Sequence, residues 1–107
     1  MTEVIAVVRR SRAAATRKEL ERAAVPGWTS FPVLGRGRQR GLRPAAEGAG
    51  VPFLAKVLFS IMVEHASVEQ VIEAIVRANQ TGEYGDGRIW TVELGQDYRI
   101  SEGGAAT

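Results

Sequence analysis

FLAKVLFSIMVE, residues 53–64, carries a single charge inside it, Lys56, and is followed after Ser67 by VEQVIEAIVRAN, residues 68–79. The first segment is apolar on both faces, which predicts a central strand covered on both sides. In the second, Val68, Val71, Ile72, Ile75 and Val76 fall on the i, i+3, i+4, i+7, i+8 stripe of an amphipathic helix. Ser67-Val-Glu-Gln70 reads as a capping box that opens this helix, and Asn79-Gln-Thr-Gly82 as its stop. Arg88 to Leu94 (RIWTVEL) then alternates Ile89, Thr91 and Glu93 with Trp90, Val92 and Leu94, the period of a strand.

The same order stands upstream. Glu3 to Arg9 (EVIAVVR) is nearly all apolar and reads as a strand buried on both faces. Ser11 is placed to cap a helix over Ala13 to Ala24, which Val25-Pro26-Gly27 ends. Trp28 to Leu34 reads as a second strand, and Pro32 within it points to an edge position or a bulge. The halves repeat faintly at a spacing of 55 residues, from Val8 to Val63 and from Arg22-Ala23 to Arg77-Ala78. Two such halves predict an α+β fold, ferredoxin-like β-α-β-β-α-β, with a four-stranded antiparallel sheet and two helices on one face. Apolar residues on both faces of the third strand predict oligomerisation through the sheet.

At 107 residues the chain is one domain's worth, expected to span 1–107. It has no cysteine, which excludes disulfides and thiolate metal sites and points to a reducing compartment, with a cytoplasmic location expected. No apolar stretch approaches the roughly 20 residues of a membrane helix, so no membrane insertion is expected. The net charge of +2 hides a split: residues 1–43 hold ten Lys/Arg against three Glu, and the rest four against nine Asp/Glu. Four of those cations, Arg36, Arg38, Arg40 and Arg43, lie among glycines in one segment, which suits local anion chemistry.

That segment, Gly35 to Pro52, holds five glycines and two prolines and reads as a long functional loop. Its start, GRGRQRG (35–41), offers backbone N–H groups and arginine forks to an anion, with Gln39 as an oxygen donor suited to Mg²⁺. By itself it fits a solvated loop or an RNA-contacting patch equally well. GEYGDGR (82–88) has three glycines ending on a cation, and reads either as a phosphate cradle or as a plain turn. Asp86 beside a polyphosphate is awkward, and is expected to accept backbone N–H bonds that hold the turn.

GRGRQRG (35–41), LAKV (54–57), ANQTGEYGDGRIW (78–90) and YRI (98–100) together resemble the PII family of nitrogen-regulatory signal-transduction proteins, over nearly the whole chain. The resemblance implies a homotrimer that binds ATP or ADP between subunits, senses 2-oxoglutarate and controls target proteins. Residues 37–53 would be the mobile T-loop that docks on those targets, and 101–107 a flexible tail. By resemblance, Gly85, Asp86, Gly87 and Arg88 wrap the phosphates, and Gly35, Gly37 and Arg38 join them from the start of the loop. Gln39 coordinates Mg²⁺, Lys56 pairs with a carboxylate of 2-oxoglutarate, and that site extends to Gly41. Arg99 of a neighbouring subunit reaches the phosphates, and Thr29 sits near adenine or ribose.

The chain departs from the family pattern in places. Its loop (LRPAAEGAGVP, 42–52) is shorter and has no tyrosine or serine, so uridylylation or phosphorylation there lacks an acceptor. Ser101 replaces a second arginine and Ser60 a glutamate. The GRG start resembles the branch associated with nitrogenase regulation. An alternative, an RNA-binding domain using Arg36, Arg38 and Arg40, requires exposed aromatics on the sheet, whereas the strands read as buried; another ferredoxin-like small-ligand binder is the second alternative. His65, the one histidine, reads as a surface or capping residue, and Trp28 and Trp90 as core or interface. Glu69 and Glu73 lie on a polar helix face, and no Ser/His/Asp or metal constellation is present, so no enzyme and no nucleic-acid partner are expected.

Overall fold

The computed structural model describes residues 1–35 and 54–103. The expected mobile loop, with Gly37, Arg38, Gln39 and Gly41, lies outside the described residues, as does the last part of the tail. The elements are β1 (Thr2–Arg9), α1 (Ala13–Arg22), β2 (Thr29–Gly35), β3 (Leu54–Val63), α2 (Val68–Asn79) and β4 (Gly87–Glu93). The four strands form one sheet in the order β2-β3-β1-β4, every neighbouring pair antiparallel. This is the ferredoxin-like fold. Pro32 sits on an edge strand, the place in a sheet where proline is tolerated.

The sheet has one dry face. Val4, Ala6 and Val8 of β1, and Phe59, Ile61 and Val63 of β3, are buried beneath Leu20 of α1 and Val71 and Ile75 of α2. Each fully buried side chain of this size stabilises the fold by about 1.5–3 kcal/mol. Trp28 packs against the same cluster. One polar link crosses this core: buried Asn79 Nδ2 donates to Thr16 Oγ1 at 2.9 Å and to the Ile75 carbonyl at 2.8 Å. The Thr16 hydroxyl donates in turn to the Arg12 carbonyl.

The expectation of strands buried on both faces is corrected here. β1 alternates buried and half-buried residues along its whole length, as a sheet covered by helices on one side requires. The opposite face carries Phe31, Leu58, Met62, Ile5, Val7, Trp90 and Val92 by strand alternation and register. Phe31, Met62, Trp90 and Val92 are 42–50% exposed. Exposed aromatics do therefore stand on the sheet of the single chain, contrary to the sequence reading.

Both expected helix caps are also corrected. The chain enters α1 through a 3-10 turn, Arg10–Arg12, and Ser11 lies inside that turn rather than capping the helix. Another 3-10 turn, His65–Ser67, precedes α2, and Ser67 makes no side-chain cap bond. Gln70, the other half of the expected capping box, donates to the Ala23 carbonyl at the end of α1 instead. A contact between the two halves thus wins over a local motif. His65 stays exposed, with Nδ1 3.5 Å from Glu93 Oε1.

Candidate functional site

The sheet topology brings three chain turns to one end. β1 leaves the sheet at Arg9, β3 enters near Lys56 and β4 enters at Gly87, with Arg9 opposite Lys56 and Val8 opposite Gly87. β2 reaches the same end at Val33, which faces Lys56, and at Gly35, where the first glycine-arginine loop departs. Lys56, Arg9, Arg88 and Val33 share the face away from the helices by strand alternation.

The centre of the site is the Gly85 carbonyl. Lys56 Nζ donates to it at 2.8 Å and Arg9 Nε at 2.9 Å, while Arg9 Nη2 donates to the Tyr84 carbonyl at 2.8 Å. Lys56 is only 7% exposed, so its charge is held almost without water. Burial, and then the Arg9 guanidinium, push the Lys56 ammonium below the usual lysine range, against the opposing pull of Asp86. Asp86 Oδ1 lies 3.4 Å from Arg9 Nη2. A cavity of about 390 Å³ opens here, with Arg9, Lys56, Tyr84 and Gly85 in its wall.

The loop that presents Gly85 is tied internally. Asp86 Oδ2 accepts from the backbone N–H of Thr81 at 2.8 Å and of Gly82 at 3.0 Å, and Oδ1 accepts from the Thr81 hydroxyl. Asp86 thus holds the turn, as read from the sequence. The Thr81 hydroxyl bond, the two N–H bonds and nearby Arg9 keep its carboxyl below the usual aspartate range, against some burial. Gly87 has φ +125°, and a Cβ there would stand 2.3 Å from the Val7 carbonyl oxygen, so the backbone approaches β1 too closely for any side chain. Gly35 meets a similar limit: a Cβ there would lie 2.8 Å from Lys56 Cγ.

Of the residues singled out in the sequence, the structure brings together Gly35, Lys56, Gly85, Asp86, Gly87 and Arg88 at this end of the sheet. Thr29 lies opposite Ser60, four positions along β3 from Lys56, about 13 Å at strand rise. Arg99 is exposed on the segment beyond β4, where its carbonyl accepts from Glu102 N–H. The expected tail begins there as a short 3-10 turn, Ile100–Glu102, closed by Gly103 in the left-handed region. Arg9 is the residue that sequence reasoning missed. Its signal was the charged pair Arg9-Arg10 ending an apolar strand, which only the pairing with β3 converts into a site.

These features define a ferredoxin-like domain with a cation-lined glycine loop at one end of its sheet. Residues 1–104 match the family model described as nitrogen regulatory protein P-II. The chain is 34% identical to the nitrogen fixation nifHD1 region GlnB-like protein 2 of Methanosarcina barkeri, over 96% of this chain and 94% of that protein. It is also 34% identical to nitrogen regulatory protein P-II 2 of Methanothermobacter thermautotrophicus (96% and 91% covered). A third relative, the nifHD region GlnB-like protein 2 of Methanothermobacter marburgensis, is again 34% identical (100% and 98%). The chain belongs to the nitrogen regulatory protein P-II family. Its role is therefore in nitrogen-regulation signalling, exerted through interaction with target proteins.

Proposed function

We propose that this protein senses nucleotide together with 2-oxoglutarate, binding ATP or ADP and Mg²⁺ at the end of the sheet that carries Lys56 and the Gly82–Arg88 loop. The observation that carries this reading is Lys56, 93% withdrawn from water beside Arg9, both donating to one carbonyl. Among the described residues, two cations crowded on a neutral oxygen, with one carboxylate at 3.4 Å, form a site with charge to spare for an anion. The cramped backbone at Gly87 and the positive φ of Gly82, Gly85 and Gly87 fit a chain shaped to approach phosphates closely.

In this reading Gly85, Asp86, Gly87 and Arg88 form the phosphate cradle and Lys56 holds a carboxylate of 2-oxoglutarate. Gly35, Gly37 and Arg38 complete the nucleotide site, Gln39 provides the Mg²⁺ ligand, and Gly41 borders the acid. A homotrimer supplies Thr29 and Arg99 across subunit boundaries. The exposed apolar sheet face supports that assembly, because Phe31, Met62, Trp90 and Val92 form a patch that association would bury. Residues 37–53 carry the ligand state to a target, and the names of two relatives point to nitrogen fixation as the setting. The test is calorimetric titration with ATP and ADP, with and without Mg²⁺ and 2-oxoglutarate, in the wild type and in Arg88→Ala. Micromolar-range nucleotide binding weakened by the substitution is expected. Absence of nucleotide binding in the wild type refutes the reading.

A further inference from the structure

Ile72, Ile75, Val76 and Asn79 fall at i, i+3, i+4 and i+7 of α2, so they lie along one side of the helix. Together with Val8 of β1 and Ile89 of β4 they wall a cavity of about 380 Å³. Cavities of about 300–1,000 Å³ are the size that takes small molecules. The space arises because α2 packs over β1, while β4 stands beyond it at the edge of the sheet.

This cleft is on the helix side of the sheet. Ile89 pairs with Ala6, a core residue, whereas Arg88 pairs with Val7 and projects from the opposite face by strand alternation. The cleft is therefore separated by the sheet from the face that carries Lys56, Arg9 and Arg88. Its depth is dry, since Val8 and Ile75 are each 1% exposed, and its mouth is open at Val76, which is 38% exposed.

One polar group in this apolar wall is left over. Asn79 is 94% buried. Its Nδ2 is spent on Thr16 Oγ1 and on the Ile75 carbonyl, but its Oδ1 is buried and accepts no hydrogen bond among the described residues. A buried carbonyl oxygen without a donor has lost its water and gained nothing in exchange, which is rare in folded proteins. A molecule entering the cleft with one N–H or O–H group supplies the missing donor. A charged group would lose its hydration against Val8 and Ile75, so the cleft selects for an uncharged one.

We propose that the cleft between α2 and β4 is a second binding site, for an uncharged and mainly apolar small molecule that donates one hydrogen bond to Asn79 Oδ1. The apolar body of the ligand packs on Ile72, Val76 and Ile89, and binding involves no covalent step. The site needs neither nucleotide nor acid, so its failure and that of the proposed function are separate results.

The test is an NMR titration of the full chain without nucleotide, using phenol as the probe and fluorobenzene as a ring of similar size that has no donor. The proteins are wild type and Val76→Trp, which fills the open mouth from an exposed helix position and is checked for an unchanged melting temperature. Phenol is expected to move the Ile72, Val76 and Ile89 signals saturably, with the Asn79 side-chain amide moving with them. Fluorobenzene is expected to move the three apolar residues but not the Asn79 amide. Val76→Trp should weaken phenol binding about fivefold or more. No saturable shift at these residues in wild type, or equal phenol binding by Val76→Trp, overturns the site. Equal movement of the Asn79 amide by both probes overturns the role of its oxygen. Cleft signals that ignore phenol but change on dilution of the protein show that a second copy fills the space, which also overturns the inference.

Discussion

Replacing Gly87 with alanine adds one methyl at the point where the glycine loop joins the sheet. That methyl would lie 2.3 Å from the Val7 carbonyl oxygen, 3.2 Å from Val8 Cα and 3.3 Å from the Val7 carbonyl carbon. All three are backbone atoms of β1, which is paired on both sides, so no side-chain rotation relieves the clash. The residue must also adopt φ +125°, a region that costs a side chain about 1–3 kcal/mol. Forcing a methyl into packed space adds about 1–3 kcal/mol more. The expected destabilisation is then about 2–6 kcal/mol, a large part of a stability of about 5–15 kcal/mol.

At about 4–8 °C per kcal/mol for a domain slightly smaller than this one, the melting temperature should fall by about 8 °C or more. Thermal unfolding followed by circular dichroism, at matched protein concentration, reads this directly. Gly82→Ala is the internal control. It shares a positive φ, +84°, but a Cβ there meets nothing within 4 Å, so only the backbone strain remains. A smaller fall than for Gly87→Ala, of about 4 °C or more, is expected for Gly82→Ala. If Gly87→Ala melts within about 2 °C of wild type, or if the two variants fall equally, the close approach to β1 is not what demands glycine.

Other outcomes follow from the same geometry. Lys56→Met should leave the unliganded protein as stable as wild type or more so, because a lysine held below its usual pKa destabilises the fold while charged, yet it should abolish any 2-oxoglutarate response; a loss above about 2 kcal/mol in urea unfolding would contradict this. Asp86 has a lowered pKa in the folded state, so its hold on the loop is complete above the ordinary aspartate range near about 4 and is lost as the pH falls through its folded value. NMR titration of the Thr81 and Gly82 amide protons should show a midpoint below that range, and one at or above it refutes the assignment. Ala24 sits at φ +59° just past α1, the left-handed position that favours glycine. Ala24→Gly should therefore raise stability, by about 1 kcal/mol, and a fall in the denaturation midpoint would show that Ala24 is unstrained.

The six regular elements were legible from residues 3–94 because hydrophobic period is local: alternation in RIWTVEL and the i, i+3, i+4 stripe after Ser67 need no partner to be read. The glycine loop was legible for the same reason, and Asp86 holds the turn as its neighbours implied. The caps at Ser11 and Ser67 were not legible. A capping motif competes with tertiary contacts, and Gln70 finds the Ala23 carbonyl, 47 residues away, a partner that no local pattern reveals. Burial of both strand faces was overestimated because the sequence of one chain does not say which face its helices cover.

The amino-acid sequence by itself determined the order of strands and helices and the two glycine-arginine segments, since each is written in spacing or residue type. Only the tertiary structure decided that β1 and β3 run side by side in a register that sets Arg9 opposite Lys56, with Arg10 just beyond. Pairing register is a property of the whole sheet, set by which faces are buried and how the loops close, and it turned two arginines at the end of a strand into the wall of a cavity shared with Lys56.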